Sequence, residues 1–298
     1  MSTPTASSEQ LARFAVSPAR RRRDTIVRRA ILIATLIALV PLVLIVYYLL
    51  RKGLSSWSPS FFTSDPTGNT FFGRADIGGI QSAILGTIEM VALASAISIP
   101  IGVGVAIWLV EYGKGSWFAN TVRFFVDVLT GVPSIVFGLF VYIVLIIGTG
   151  SSYAGYKGSI ALSLLMLPVV IRSAEVVLLL VPAALRESAL ALGAPRWRVI
   201  FSVVLPTALP GMVTGMLLAV ARAAGETAPL LFTAAYTHET NFNLGQFMNS
   251  LPVQIYNDVT SPTTAVVERA WGAALTLVTM ILLLNLIART VSRRSRLG

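Results

Sequence analysis

Cysteine is absent from the 298 residues, and histidine occurs once, as His238. The first absence excludes disulfides, thiolate chemistry and cysteine-held metals; the second excludes a histidine metal cluster. Charge is scarce too. Charged residues make up 12% of the chain, where soluble domains carry about 25%. A nucleotide-binding G-x-x-x-x-G-K-S/T loop is also missing, since Gly113-Lys114-Gly115-Ser116 has neither its spacing nor a hydroxyl beside the lysine. No cysteine- or histidine-held metal and no nucleotide loop are therefore expected on this chain, and it is read as having no catalytic residues, metal or cofactor of its own.

What is present is apolar length. Hydrophobic residues are 55% of the sequence, and a helix needs about 20 of them in a row to cross a bilayer. Residues 31–50 (ILIATLIALVPLVLIVYYLL) supply such a run. The apolar core of a signal peptide is shorter, about 7–15 residues, with small residues at its exit. This run leaves through Tyr47-Tyr48 into Arg51-Lys52 and reads as a retained anchor. Further spans are expected at 80–110, 123–148, 158–181, 205–235 and 268–290, giving an all-α membrane protein of six transmembrane helices. The second and fifth are longer than needed and contain Pro100 and Pro229, so tilting or breakage is expected there.

On a soluble chain a formal charge of +10 would suggest nucleic acid. The distribution of the charge points elsewhere. Sixteen basic residues fall on one side of the six-span layout: Arg13, Arg20, Arg21, Arg22, Arg23, Arg28, Arg29, Lys114, Arg123, Arg186, Arg196, Arg198, Arg289, Arg293, Arg294 and Arg296. Four fall on the other, namely Arg51, Lys52, Arg74 and Lys157. Basic loops stay in the cytoplasm. Both termini are expected there, with basic tails over 1–30 and 292–298, a membrane domain over 31–291 and an inward-facing loop over 182–204. Residues 1–19 are small and polar and read as disordered. The opposite loops, 51–79 and 236–267, either receive a partner or cover the mouth of a pore.

The stretch RESALALGAPRWRVIFSVVLP, residues 186–206, interrupts the apolar pattern. Residues 183–192 favour helix, Gly193 suits a left-handed terminus, and Pro195 is a stop two positions on. A helix of about two turns and a bend are expected before the fifth span begins at Leu205-Pro206. Such a helix is either a docking element or an ordinary amphipathic connector. Its spacing resembles the EAA loop of ATP-binding-cassette importer permeases: Glu-Ala-Ala, three residues, Gly, nine residues, Ile, one residue, Leu-Pro. Glu187, Ser188, Ala189, Gly193, Leu205 and Pro206 hold those positions here, with departures at Ser188 and at Val203 in place of Ile. The resemblance implies a type I (MetI-like) permease fold and a loop seated in a groove of a separate ATPase subunit. ATP and Mg would then be bound by that partner chain.

Ionisable residues inside a bilayer are costly and mark functional candidates. Arg172 and Glu175 lie three apart, Arg222 and Glu226 four apart, spacings that place each pair on one helix face. Each pair is either self-neutralising or part of a substrate path. Ala219, Ala221, Ala223, Ala224 and Gly225 leave room around Arg222. Gly211 and Gly215 form a G-x-x-x-G packing motif. The planar fork of arginine suits a tetrahedral oxyanion. A nearby carboxylate would accept the proton of hydrogen phosphate and repel sulfate, which has none. Glu89 lies in mid-span, and Asp127, Glu268 and Arg269 are read as interfacial residues near span ends. Gly131-Val132-Pro133-Ser134 is expected to break the third helix, and freed backbone groups at that depth are tolerated only inside protein or beside a cavity. Gly131, Pro133 and Ser134 are thus read as pore lining and gating or as a packing kink.

Three further stretches resemble the phosphate-specific branch of these permeases, in particular its A-type subunits: Gly131-Val132-Pro133-Ser134-Ile135-Val136-Phe137-Gly138, Gly225-Glu226-Thr227-Ala228-Pro229-Leu230 and Leu251-Pro252-Val253-Gln254-Ile255-Tyr256. That resemblance implies phosphate import across a bacterial plasma membrane, with a related C-type permease as heterodimer partner. It also implies two ATPase subunits on the cytoplasmic face, a phosphate-binding protein outside, and Arg172, Glu175, Arg222 and Glu226 along the path. Membrane lipid is an expected partner and nucleic acid is not. Two other classes make different demands. A secondary transporter needs no ATPase and often shows inverted repeats, which are not visible here; a membrane scaffold would tolerate loss of Arg222.

Overall fold

A computed structural model describes residues 18–67 and 78–294. The chain divides into two compact units, Met1–Arg51 and Lys52–Gly298. The first is built around helix α1 (Pro18–Gly53). Between its charged ends, over residues 30–50, the side chains are apolar all round, with Ile33, Leu36, Ile37 and Val40 exposed, as suits a helix whose solvent is lipid. The expected anchor is thus one long helix. It already includes Pro18 and Ala19, which corrects the reading of 1–19 as disordered; residues 1–17 lie outside the described part.

The second unit contains α2 (Pro59–Thr63), α3 (Gln81–Ile107), α4 (Trp117–Gly131), α5 (Ser134–Val141), α6 (Gly155–Leu179), α7 (Ala183–Ala191), α8 (Arg196–Val199), α9 (Leu205–Ala224), α10 (Ala228–Thr233), α11 (Leu251–Val259) and α12 (Thr264–Arg294). Helix α6 is the central post, packed by α3, α4, α5, α9 and α10. Between lipid-embedded helices packing, not water exclusion, drives association, and small residues permit it. A Cβ on Gly102 of α3 would lie 2.7 Å from Val170 Cγ1, and Cβ atoms on Gly211 and Gly215 of α9 would lie 2.7 Å from Val177 Cγ1 and 2.3 Å from Ser173 Cβ. The G-x-x-x-G of α9 is therefore its seam with α6. Met90, Leu162, Met166, Val170 and Ala219 fill the resulting core.

Among the described residues five helices are long and apolar enough to cross a membrane: Arg20–Ser56, Gln81–Tyr112, Gly155–Leu179, Arg196–Ala224 and Thr264–Ile287. The expected span over 123–148 differs. It starts earlier and is a broken pair, Trp117–Gly131 and Ser134–Ile147, bent by 102°. Val132 and Pro133 are both extended at the break, and proline has no N–H to continue a helix. The span expected over 205–235 is also redrawn. Helix runs from Arg196, passes a π turn at Ile200–Val204 and ends at Ala224. In the π turn Leu205 N–H donates to Ile200 O, a register shift placed one residue before Pro206, which can donate nothing. The loop expected over 182–204 is therefore shorter, its second half being the start of that span. Span two, in contrast, is unbroken through Pro100 and closes in a π turn at Trp108–Tyr112. Helix α12 continues to Arg294, past the expected boundary at 291; residues 295–298, and 68–77 of the first long loop, lie outside the described part.

Candidate functional site

The hairpin after α6 follows from its sequence. Helix α7 ends in a Schellman arrangement: Gly193 N–H donates to Leu190 O at 2.9 Å, and Ala194 N–H to Ala189 O at 3.3 Å. Gly193 has φ +80°, which costs a residue with a Cβ about 1–2 kcal/mol. No residue of α7 is buried. Glu187, Ser188, Leu185, Leu190 and the tip residue Leu192 are exposed, while Ala189 and Leu205 touch the core beneath and Pro206 is exposed. Arg186, which sequence reading counted only as charge, fastens the hairpin. Its guanidinium donates to Val181 O at 2.6 Å and Leu178 O at 2.8 Å, carbonyls at and just past the end of α6, where helical partners run out. It also donates to Glu111 Oε1 at 3.0 Å, at the end of span two. Two spans thus share one anchor with α7.

A four-charge network joins α4 to α6. Arg123 Nε donates to Glu175 Oε1 at 2.6 Å, and Arg172 Nη1 to Glu175 Oε2 at 2.8 Å. Arg172 Nε donates to Asp127 Oδ1 at 2.7 Å, and Arg172 Nη2 bonds the same oxygen. Arg123 Nη2 donates to Leu109 O at 3.0 Å. Glu175 is 3% exposed, Arg172 34% and Asp127 57%, so the network is sealed on one side and open on the other. Asp127, read as interfacial, is exposed and belongs to it; Arg123, read as the first residue of the third span, lies within α4, which begins at Trp117.

Arg222 and Glu226 form a second, looser station. They approach to 3.7 Å, with Arg222 48% exposed. Glu226 is not on the helix face that its spacing suggested, because α9 stops at Ala224 and Glu226 lies in the break before α10. Gly215 of α9 lies against Ser173 of α6, so Arg222, seven residues farther along, is about 10 Å beyond Arg172 along the helices. No ion pair joins the two stations among the described residues. Gly131 and Pro133 are exposed at the bend and Ser134 is half-buried. Gly138 of α5 lies against Pro229 of α10, where an added Cβ would be 2.6 Å from Pro229 Cα. The two motif stretches 131–138 and 225–230 therefore meet.

The end of the bundle opposite α7 is closed by buried polar groups. Arg269 donates to Asp258 at 2.8 and 2.7 Å, and Gln254 Nε2 to both Asp258 oxygens at 2.9 Å. Asn249 Nδ2 donates to Gln254 Oε1 at 2.7 Å. Arg269 is buried, which corrects its reading as interfacial; Glu268 beside it is exposed. Asp65 accepts from Thr240 N at 2.8 Å and Ser82 N at 3.1 Å, tying the two long loops together. Glu89 is half-buried, with Oε2 unpartnered.

A cavity of about 620 Å³ lies beside α6 and α9, lined by Arg172, Ser173, Thr214, Gly215, Ala221 and Asn285. A larger one of about 790 Å³, lined mainly by apolar groups such as Trp57, Ile84, Ala224 and Met280 with a few hydroxyl residues among them, has no charged residue in its wall. Among the described residues no group of three or more His, Asp or Glu side chains is placed to hold a metal. The arrangement can present single guanidinium forks, each beside a carboxylate, to an anion.

The bundle and its projecting hairpin define an ABC importer permease fold. It matches an inward-facing MetNI methionine ABC transporter structure with a TM-score of 0.59 and 21% identity, covering 71% of this chain and 94% of that one. It also matches a bacterial alginate ABC transporter, solved with an alginate pentasaccharide-bound periplasmic protein, with a TM-score of 0.60 and 17% identity over 92% and 96% of the two chains. Residues 98–297 match the family described as binding-protein-dependent transport system inner membrane component. The chain belongs to that family and is a multi-pass membrane transport component. Among its relatives, phosphate transport system permease protein PstA 1 of Mycobacterium tuberculosis (strain ATCC 25618 / H37Rv) is 39% identical over 284 residues, covering 93% of this chain and 91% of that protein. PstA of Yersinia pestis is 38% identical over 278 residues, covering 93% and 92%.

Proposed function

We propose that this chain is the membrane-spanning permease of an ATP-driven phosphate importer, forming the translocation path with a related C-type permease. The observation that carries the reading is the likeness, along more than nine-tenths of both chains, to phosphate transport permeases. ATP and Mg are bound by two separate ATPase subunits, and α7 is the part that seats on one of them; its exposed Leu185, Leu190 and Leu192 suit a groove. Movement of α7 reaches spans two and four together, because Arg186 bonds both Glu111 and the end of α6. The excess of basic residues on one side of the six-span layout, the side that includes Arg186, Arg196 and Arg198, supports placing both termini and α7 in the cytoplasm. A phosphate-binding protein meets the opposite end, where the buried Asp258 and Arg269 pair stiffens the loops. Phosphate passes Arg222 and then Arg172, with Glu226 and Glu175 beside them, and the bend at Gly131, Pro133 and Ser134 lines the path.

The experiment is ATP hydrolysis by the reconstituted complex with its binding protein, with phosphate or sulfate added. Phosphate stimulates it and sulfate does not. Equal stimulation by both anions, or by neither, rejects phosphate as the substrate.

A further inference from the structure

We propose that Asp127 is the resting occupant of an oxyanion seat on Arg172, displaced when the transported anion arrives and returned when it leaves. The inference rests on the reading of this chain as a phosphate permease. Arg172 Nε and Nη2 both donate to a single oxygen, Asp127 Oδ1. That edge of a guanidinium carries two parallel donors and is matched best by two oxygens of one anion. Asp127 fills it with one. A tetrahedral oxyanion supplying two oxygens completes both bonds and so exchanges for the carboxylate.

The two carboxylates on Arg172 are set differently. Glu175 is buried, and each of its oxygens accepts from a different arginine, at 2.6 and 2.8 Å. It holds the guanidinium in place whatever fills the fork. Asp127 is more than half exposed and, among the described residues, its side chain is bonded only through that fork, so it is free to swing away. The cavity of about 620 Å³ that Arg172 borders, with Ser173, Thr214 and Asn285 in its wall, gives the incoming anion room. A transporter must release what it binds. An intramolecular competitor at the fork keeps Arg172 from holding the anion too long.

The test is equilibrium binding of radiolabelled phosphate to the purified complex of this chain with its partner permease and ATPase subunits, without the binding protein. Removing the competing charge with Asp127→Asn tightens binding by about tenfold, and uptake at saturating phosphate slows with release. Asp127→Glu, which keeps a competitor, binds like wild type. A carboxylate that only held the fold together would give weaker binding in the Asn variant. Equal or weaker binding by Asp127→Asn, or no binding by either protein, overturns the proposal. Phosphate uptake by wild-type proteoliposomes is measured alongside. No uptake there rejects the functional reading itself, whereas uptake with unchanged binding rejects only the role of Asp127.

Discussion

Two arginine–carboxylate pairs in this chain share their chemistry and differ in setting. Arg269 and Asp258 are 4% and 3% exposed and meet in a two-toothed contact, with Gln254 donating to the remaining lone pairs. Arg172 and Asp127 meet through one oxygen, with the aspartate 57% and the arginine 34% exposed. Charges taken out of water lose several kcal/mol each, which partners must offset; charges left in reach of water lose little and gain little. The sealed pair is therefore part of the fold, and removing one member strands the other. The open pair contributes almost nothing to stability, so its charges have to be explained by what they can touch.

That contrast orders the expected costs of substitution. The largest belongs to the sealed pair. Arg269→Met leaves the Asp258 carboxylate buried without its cation and should cost about 3–5 kcal/mol, seen as a large drop in the melting temperature of the detergent-solubilised protein. Pairing it with Asp258→Leu should recover most of the loss, because replacing both charges removes the stranded one. A single variant that melts like wild type would place both pairs in the same class.

Arg186 stands between the extremes, since it and Glu111 are mostly but not wholly buried. Arg186→Gln loses charged hydrogen bonds to Glu111, Val181 and Leu178, at about 2 kcal/mol. The sharper readout is stoichiometry. Hydrolysis by the assembled complex should persist while phosphate moved per ATP falls. A proportional fall of both would mean that Arg186 only holds the hairpin together.

The sequence was informative wherever the physics is local. A membrane demands consecutive apolar residues, so the long helices could be read directly. Gly193 and Pro195 mark the end of α7 because only the backbone there decides it, and Pro133 marks the bend for the same reason. Partnership was not legible. Asp127 and Arg172 are 45 residues apart, and nothing in either span says which neighbour it faces. Arg123 looked like the edge of a span because the long apolar run only begins beside it, whereas α4 starts six residues earlier at Trp117. The four-residue spacing of Arg222 and Glu226 suggested a helix that Gly225 and Thr227 in fact interrupt. Pro206 looked like the start of a helix because a π turn, which absorbs a proline, leaves no composition signal.

The smallest cost to the fold is expected at Arg222, and there the contrast is sharpest. Its carboxylate partner is 3.7 Å away and the guanidinium is about half exposed, so Arg222→Ala should change stability by about 1 kcal/mol or less. Small neighbours, Ala219 and Ala223 among them, are already buried against the core and need not rearrange. Phosphate uptake should nevertheless fall strongly, with the protein present in the membrane at its normal level, because the fork that Arg222 offers the anion has no substitute nearby. Uptake and melting temperature measured on the same preparation separate the possibilities. Loss of both would make Arg222 a structural residue like Arg269; unchanged uptake would remove it from the path and leave Arg172 as the remaining arginine station.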